Sequence, residues 1–269
     1  MSLQKIDFTC ILKNRSIIAI SGNDKEPFLQ GIVTQDVKIL QNQPIIYSLM
    51  LSPQGKFQFD FFIINLKDLW LIDIESPRAQ SFLQKLQLFK LRSDVDIRMI
   101  DWQVGVSLTK QVYENCFLDP RLEELGYRYY SQKIDFSHQS AYESHCLALG
   151  VPRGATDMIV DKSIPLEWGM DELKAISWNK GCYMGQELTA RSRYVGQIRK
   201  RSFPISFENP GEHTVGDKIL SGETEVGELR ATKGSLGIAL LKLESIGKEL
   251  HINNNFIKVH QPHWMVLPG

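Results

Sequence analysis

Cysteine is scarce in this chain, and its spacing removes several kinds of chemistry at once. The four thiols, Cys10, Cys116, Cys146 and Cys182, lie far apart, with no Cys-x-x-Cys pair among them. That argues against a zinc knuckle, a thioredoxin-type motif or a cluster held by this chain alone, and for reduced thiols. His260-Gln261-Pro262-His263 has metal-like spacing, but Pro262 breaks any helical face that would aim both rings together, so no metal site is assigned. An excess of one charge is missing too. The 31 basic residues balance 31 acidic ones, so no global field steers the chain to nucleic acid or an anionic membrane. No apolar run is long enough to span a bilayer; Phe59 to Leu66 is short and contains Asp60. Gly-x-Gly-x-x-Gly, a repeat period and low-complexity tracts are absent. Residues 6–20 alternate apolar and polar without the pattern of a secretory signal or an arginine-rich presequence. A cytoplasmic protein with no membrane partner is expected on these grounds.

What is present is an ordinary globular composition, 43% hydrophobic over 269 residues, enough to bury a sizeable core in two or three units. Alternation predicts strands over 6–12 and 15–20, joined as a hairpin around Lys13-Asn14. Residues 25–40 read as helix in two pieces, and 45–51, 56–65 and 69–74 as successive strands. Ser76-Pro77 opens a helix with Ser76 as N-cap; Ala79, Phe82, Leu83, Leu86 and Phe89 then recur at helical spacing. Strands return over 94–100 and 102–108, and a helix over 137–149 is closed by Gly150 and Pro152. Beyond Gly196, five short strands parted by glycine turns suggest a small antiparallel barrel. Single helices among hairpins, with no βαβ rhythm, place the chain in the α+β class.

The densest chemistry lies in Lys180-Gly181-Cys182-Tyr183-Met184-Gly185-Gln186-Glu187. Gly181 and Gly185 allow a sharp turn and close approach to a ligand. Residues 186–193 read as a short helix, with Glu187 early and Arg191 and Arg193 late, an order that suits the helix dipole. Cys182 would then sit just ahead of a helix start with Lys180 close by, and both features favour thiolate. The alternative is a cysteine that packs as a small apolar group. Arg191, Arg193, Arg199, Lys200 and Arg201 make the one conspicuous basic stretch. It reads either as a solvated surface or as a seat for an anion such as a polyglutamate tail, an acidic protein face or RNA. Nucleic acid ranks last, because no aromatics interleave with these charges.

Lys180 to Glu187 resembles the Lys-Gly-Cys-Tyr-x-Gly-Gln-Glu signature of the YgfZ family, folate-binding proteins related to the T protein of the glycine cleavage system. Pro165-Leu166-Glu167 and Ile176-Ser177-Trp178 lead into it as in that family. Gly22 and Phe28 through Val37 resemble its N-terminal Gln-Gly-x-Val-Thr-x-Asp-Val element, and Ser52-Pro53-Gln54-Gly55-Lys56 its glycine-lysine turn. Leu149 to Gly154 and Arg191 to Arg201 look most like the mitochondrial-type branch, whose members mature iron–sulfur proteins. The resemblance implies an aminomethyltransferase-like folate-binding fold. It would have a two-lobed portion over 1–195, a lobe inserted at roughly 45–110, and a C-terminal β-barrel over 196–269.

The departures from that pattern shape the expected function. Tyr142 stands where relatives carry a pocket aromatic, and a flat ring suits a pterin. Arg15 replaces a tryptophan found in some bacterial members. Ala148 stands where the T protein has a pterin-reading glutamate, and an alanine cannot hydrogen-bond a pterin edge. The adjacent aspartates associated with one-carbon transfer become Phe59-Asp60. Strand alternation sends those two side chains to opposite faces, so Asp60 cannot take the first carboxylate's role. No other carboxylate pair is identifiable in the sequence, which argues against an enzyme. The resemblance thus implies an accessory factor for assembling or repairing iron–sulfur clusters. Cys182 would be its functional thiol, with Lys180, Gly181, Tyr183, Gly185, Gln186 and Glu187 around it and Tyr142 and Asp60 in a pocket for tetrahydrofolate or a related folate. Arg191 and Arg193 would bind an anion, and iron–sulfur assembly or carrier proteins would be its partners. The alternatives are a tetrahydrofolate-dependent aminomethyltransferase and a ligand-free scaffold.

Overall fold

A computed structural model describes residues 7–136, 141–196, 198–209, 211–253 and 255–267. The chain enters through β1 (Thr9–Ile11) and β2 (Arg15–Ser21), joined by a tight turn in which the Arg15 N–H donates to Leu12 O at 3.2 Å. The hairpin expected there does not form. β2 is bonded on both edges by other strands of its own sheet, which leaves no edge for β1. The short helix α1 (Lys25–Gln30) and a 3-10 turn over Val37–Gln41 are the two predicted helical pieces. A meander of β3 (Ile45–Leu51), β4 (Phe57–Leu66) and β5 (Leu69–Glu75) follows, then α2 (Ser76–Lys90) and β6 (Asp96–Ile100). The N-cap of α2 is Glu75, one residue before the serine expected in that role; the Ser76 hydroxyl pairs instead with that of Ser16 at 2.8 Å.

These strands make a five-stranded sheet in the order β3-β4-β5-β2-β6. Successive side chains alternate faces, and both faces are buried. Ile18, Ile20, Phe59, Phe61, Ile63, Ile72 and Ile74 lie on one face and pack against Ala79, Phe82 and Leu86 of α2. Ile17, Tyr47, Leu49, Phe62 and Leu71 lie on the other, toward the second sheet and the segment around Trp168.

The second sheet is built from β7 (Gln103–Ser107), β8 (Cys116–Leu118) and β9 (Tyr127–Ser131), in the order β1-β7-β9-β8. The strand pairing therefore cuts across residues 45–110: β2 lies before that range but pairs with strands inside it, and β7 lies within it but joins β1 and β9. Helix α3 (Ala141–Leu149) follows, ending where the Val151 N–H donates to Cys146 O at 2.9 Å. Residues 137–140 of the helix expected there lie outside the described residues. Helix α4 (Gln186–Tyr194) leads to the C-terminal strands.

Those strands are β10 (Lys200–Phe207), β11 (Lys218–Ser221), β12 (Thr224–Lys233), β13 (Leu236–Lys242), β14 (Leu250–Ile252) and β15 (Asn255–Val259). They close into an antiparallel barrel in the order β10-β13-β12-β11-β14-β15 around Phe203, Ile219, Leu229 and Ile252. Strand β14 is missing from the sequence reading because three residues are too few to show alternation. The barrel is tied to the rest through the Trp264 Nε1–H, which donates to Leu149 O at 2.8 Å, and Arg230, which donates to Asp157 O at 3.0 Å.

Candidate functional site

Three stretches far apart in sequence meet around Cys182. Lys180 is buried, and its ammonium donates to the carbonyls of Gln30, Val33 and Gln35 at 2.7, 2.7 and 3.0 Å. Burial pulls its pKa down to about 8, with Asp36 opposing the shift. The neighbouring Thr34 hydroxyl donates to Ala175 O at 2.6 Å, and the Ser177 N–H donates to Thr34 O at 3.0 Å. The third stretch is the 52–56 turn. Gly185 has φ +82°, and a Cβ there would lie 2.5 Å from Ser52 O. Gly55 has φ +69°, and a Cβ on it would lie 3.2 Å from Gly185 O. Only glycine at both places lets the two turns pack backbone against backbone.

On this anchored turn Cys182 is exposed, while Cys10 and Cys146 are buried and Cys116 is half-buried. Gly181 needs no glycine: its φ is ordinary and a Cβ would meet nothing within 4 Å, so its expected role in the turn is not required. Lys180 is also recast. All three of its donors are engaged by carbonyls of the 30–35 segment, so it serves as an anchor for the turn rather than a free cation beside the thiol. Tyr183 is buried with its hydroxyl unpaired among the described residues, and burial raises its pKa to about 12. Gln186 and Glu187 open α4, for which Gly185 is the N-cap.

The basic stretch divides. Arg193 stacks over Trp178 at 4.2 Å and reaches Asp171 at 3.9 Å. Arg191 is exposed and, with Lys56, lines a cleft of about 310 Å³ beside α4. Arg201 is no surface cation: it is buried against Glu172 at 2.7 Å and donates to Leu166 O at 3.1 Å.

A larger cavity, about 520 Å³, opens between the two sheets and α3. Tyr142 and Asp60 both line it, together with Arg15, Phe62 and Glu75. None of residues 180–187 does, so the thiol and the expected pocket are separate places and the motif is not part of the pocket wall. The Tyr142 hydroxyl accepts from Arg121 at 3.0 Å, and its ring lies against Phe8 at 5.1 Å. Ala148 is buried and does not line the cavity. Arg15 donates to the Asp73 side chain at 2.6 Å, and Arg128 to its other oxygen at 2.5 Å. Burial works to raise the Asp73 carboxyl, but the two arginines outweigh it and hold the group below its ordinary value. Arg128 also lies 3.9 Å over the Phe62 ring.

Sequence reasoning missed Glu75. Arg15 pairs with Glu75 across β2 and β5, and Phe61 with Ile74 across β4 and β5, so the next rung sets Asp60 beside Glu75. The structure thus assembles a carboxylate pair that the sequence did not show. Burial and the Asp60 charge push the Glu75 carboxyl up to about 7, against the pull of Arg15 and hydrogen bonds from the Ala155 N–H and the Thr156 hydroxyl. The signal available was parity: residues 60, 62, 73, 75 and 15 share one face once the strand register is known.

This architecture is that of the aminomethyltransferases. The glycine cleavage system aminomethyltransferase T from Bartonella henselae superposes with a TM-score of 0.76, over 96% of this chain and 86% of that one. At 11% identity the likeness is one of fold. Residues 199–267 match the family described as the CAF17 C-terminal beta-barrel domain. Along most of the chain, the iron–sulfur cluster assembly factor IBA57, mitochondrial, of Homo sapiens is 31% identical, over 90% of this chain and 79% of its own length. The IBA57 homologue of Pyricularia oryzae is 30% identical, over 87% and 71% respectively. That of Mycosarcoma maydis is 32% identical over 72% of this chain, which spans only 56% of that relative's length.

The chain belongs to the IBA57 family of iron–sulfur cluster assembly factors. The relatives carry that name rather than YgfZ, a related family. They are also named as mitochondrial proteins, which overturns the cytoplasmic placement drawn from composition and the leading residues.

Proposed function

We propose that this protein is an accessory factor in iron–sulfur cluster assembly or repair. It would work with iron–sulfur assembly or carrier proteins through Cys182 and hold a folate-type ligand in the cavity between the sheets. The observation that carries the reading is Cys182 itself: it is the one exposed thiol of the four, on a turn anchored by Lys180 and the Gly55–Gly185 contact. A thiolate is a soft ligand that can share iron with a partner's cysteines, which one cysteine cannot hold alone. Arg191 and Lys56 beside α4 suit an acidic face on such a partner.

The residues of the cavity fit a folate. Its volume of about 520 Å³ suits a small ligand. The Tyr142 ring offers an aromatic wall, Asp60 and Glu75 offer carboxyl groups for ring nitrogens, and Lys13 offers a cation for a glutamyl carboxylate. A bound folate would supply a one-carbon carrier. The carboxylate pair also keeps a folate-dependent one-carbon transferase as the second reading, which a methylene-transfer assay on the full chain decides.

The test is replacement of the native protein by Cys182→Ser in cells. Dependent iron–sulfur enzymes should lose activity while the variant accumulates normally and, once purified, binds tetrahydrofolate as well as the native protein. Full complementation by the serine variant would favour a scaffold in which the thiol only packs.

A further inference from the structure

The acids around the cavity are sorted unevenly. Arg15, Arg121, Arg128 and Arg153 line it, and their ion pairs go to Asp73, Asp119, Asp157 and Glu143. Asp60 and Glu75 make no ion pair among the described residues, although they are only 5% and 8% exposed and both line the cavity. Asp60 Oδ2 accepts from the Tyr47 hydroxyl at 2.9 Å. Its Oδ1 has no hydrogen-bond partner among the described residues and faces Gly154, where a Cβ would come within 2.1 Å of it. The Glu75 oxygens accept only long bonds, from the Ala155 N–H and the Thr156 hydroxyl at 3.3 Å each. Arg15, on the same rung as Glu75, directs its guanidinium to Asp73. Neither carboxyl has a cation in an ion pair with it among the described residues, and a second negative charge on Glu75 is disfavoured by burial and by its neighbour Asp60, against the pull of Arg15.

We propose that Asp60 and Glu75 act as one proton-sharing carboxyl pair that receives a basic nitrogen of the cavity's ligand, which makes that ligand a neutral nitrogen heterocycle able to accept a proton. The proposal rests on the folate-type reading of the cavity and adds the feature by which a ligand is recognised there. In the step, the proton shared by the pair moves to the ligand nitrogen. The pair goes from one negative charge to two as the ligand gains one positive charge, so the total is unchanged. The groups facing the pair are Arg15 on β2, Tyr47 on β3, Asp73 on β5, Arg128 on β9, Glu143 on α3, and Arg121 and Arg153 from the loops. The arginines among them already hold carboxylates of their own, with Asp73 and Glu143 among these. The added positive charge of a protonated ligand therefore has its natural counter-charge in the pair.

The experiment has two arms on the full chain. Infrared difference spectra of the unliganded protein across pH 5–9 should show a protonated-carboxyl stretch that titrates near neutrality. That band should vanish in Glu75→Gln and also change in Asp60→Asn, because it belongs to the pair. Both variants keep the shape of the native side chain, and circular dichroism confirms their fold. In the second arm, tetrahydrofolate affinity should weaken about tenfold per pH unit above neutrality in the native protein and stay flat in Glu75→Gln. Absence of the band, its survival unchanged in Asp60→Asn, or an equal slope in Glu75→Gln overturns the proton-sharing pair. Failure of tetrahydrofolate to bind at any pH while the band titrates overturns the folate reading and leaves the shared proton supported.

Discussion

The turn that carries Cys182 is held by backbone, whereas the cavity between the sheets is held by side-chain charge. Around the thiol, one buried ammonium gathers three carbonyls and two glycines bring two loops into contact, leaving the cysteine itself open to solvent. Around the cavity, Arg15, Arg128 and Asp73 are locked together with almost no exposure, and the arginine faces cover Phe62. On the proposed function, the difference follows from what each place would meet. A macromolecular partner brings its own atoms to a surface turn, so the turn needs only a fixed backbone. A cavity that takes a small ligand must keep its charged walls compensated when empty, because an unpaired buried charge is costly.

That contrast can be broken by experiment, and the largest effect should lie in the cavity. Arg128→Ala leaves Asp73 buried with Arg15 as its remaining arginine, and should destabilise the fold by about 3–5 kcal/mol in urea unfolding. Arg191→Ala, at an exposed position, should stay within about 0.5 kcal/mol. Equal effects would mean that the cavity network contributes no more than a surface charge.

Stability against pH sharpens the same comparison. The Glu75 carboxyl is raised from 4.5 to about 7, so the folded chain holds a proton that the unfolded chain has released. Its contribution is complete below pH 4.5 and is lost as pH rises through 7, on the order of 3 kcal/mol in all. Lys180 has the opposite sign. Its pKa falls from 10.5 to about 8, so the unfolded chain binds the extra proton and stability from this group rises between pH 8 and 10.5. Urea midpoints measured across pH should show both slopes, with Glu75→Gln flattening the lower one and Lys180→Met the upper one. A lower slope that survives in Glu75→Gln would assign it to another group.

A smaller loss is expected at the glycine contact. Gly185→Ala places a methyl 2.5 Å from the Ser52 carbonyl at a positive φ, and should cost about 2 kcal/mol. Gly181→Ala, with open space around it, should be neutral within about 0.5 kcal/mol. Cys182→Ser should likewise change stability little, within about 1 kcal/mol, because the side chain is exposed. In the native protein Cys182 should be alkylated fastest of the four thiols. Cys146 is buried, and burial raises its pKa to about 11. Slower labelling at Cys182 than at Cys116 would undercut its role as the available thiol.

The two regions differ in legibility for the same reason that they differ in construction. The signature from Lys180 to Glu187 is contiguous, and its thiol, its short helix and the glycine at 185 could be read from neighbours in the chain. The strands of the meander, the core stripe of α2 and the antiparallel barrel were equally visible, because alternation, helical spacing and glycine turns act over a few residues. The proposed hairpin at Lys13-Asn14 failed because local alternation says nothing about which edge a strand will find. The cytoplasmic expectation failed because composition carries no address.

Residue chemistry and local period were determined by the sequence alone: a glycine-flanked cysteine turn, a run of strands, a barrel, and an aromatic and a carboxylate at Tyr142 and Asp60. Only the tertiary structure decided what those residues do to one another. It turned Lys180 into an anchor, buried Arg201, separated Cys182 from the cavity and set Glu75 beside Asp60. Each of these outcomes depends on strand register or on contacts between segments remote in the chain. A pKa or an ion pair arises only when such contacts remove water and bring charges together.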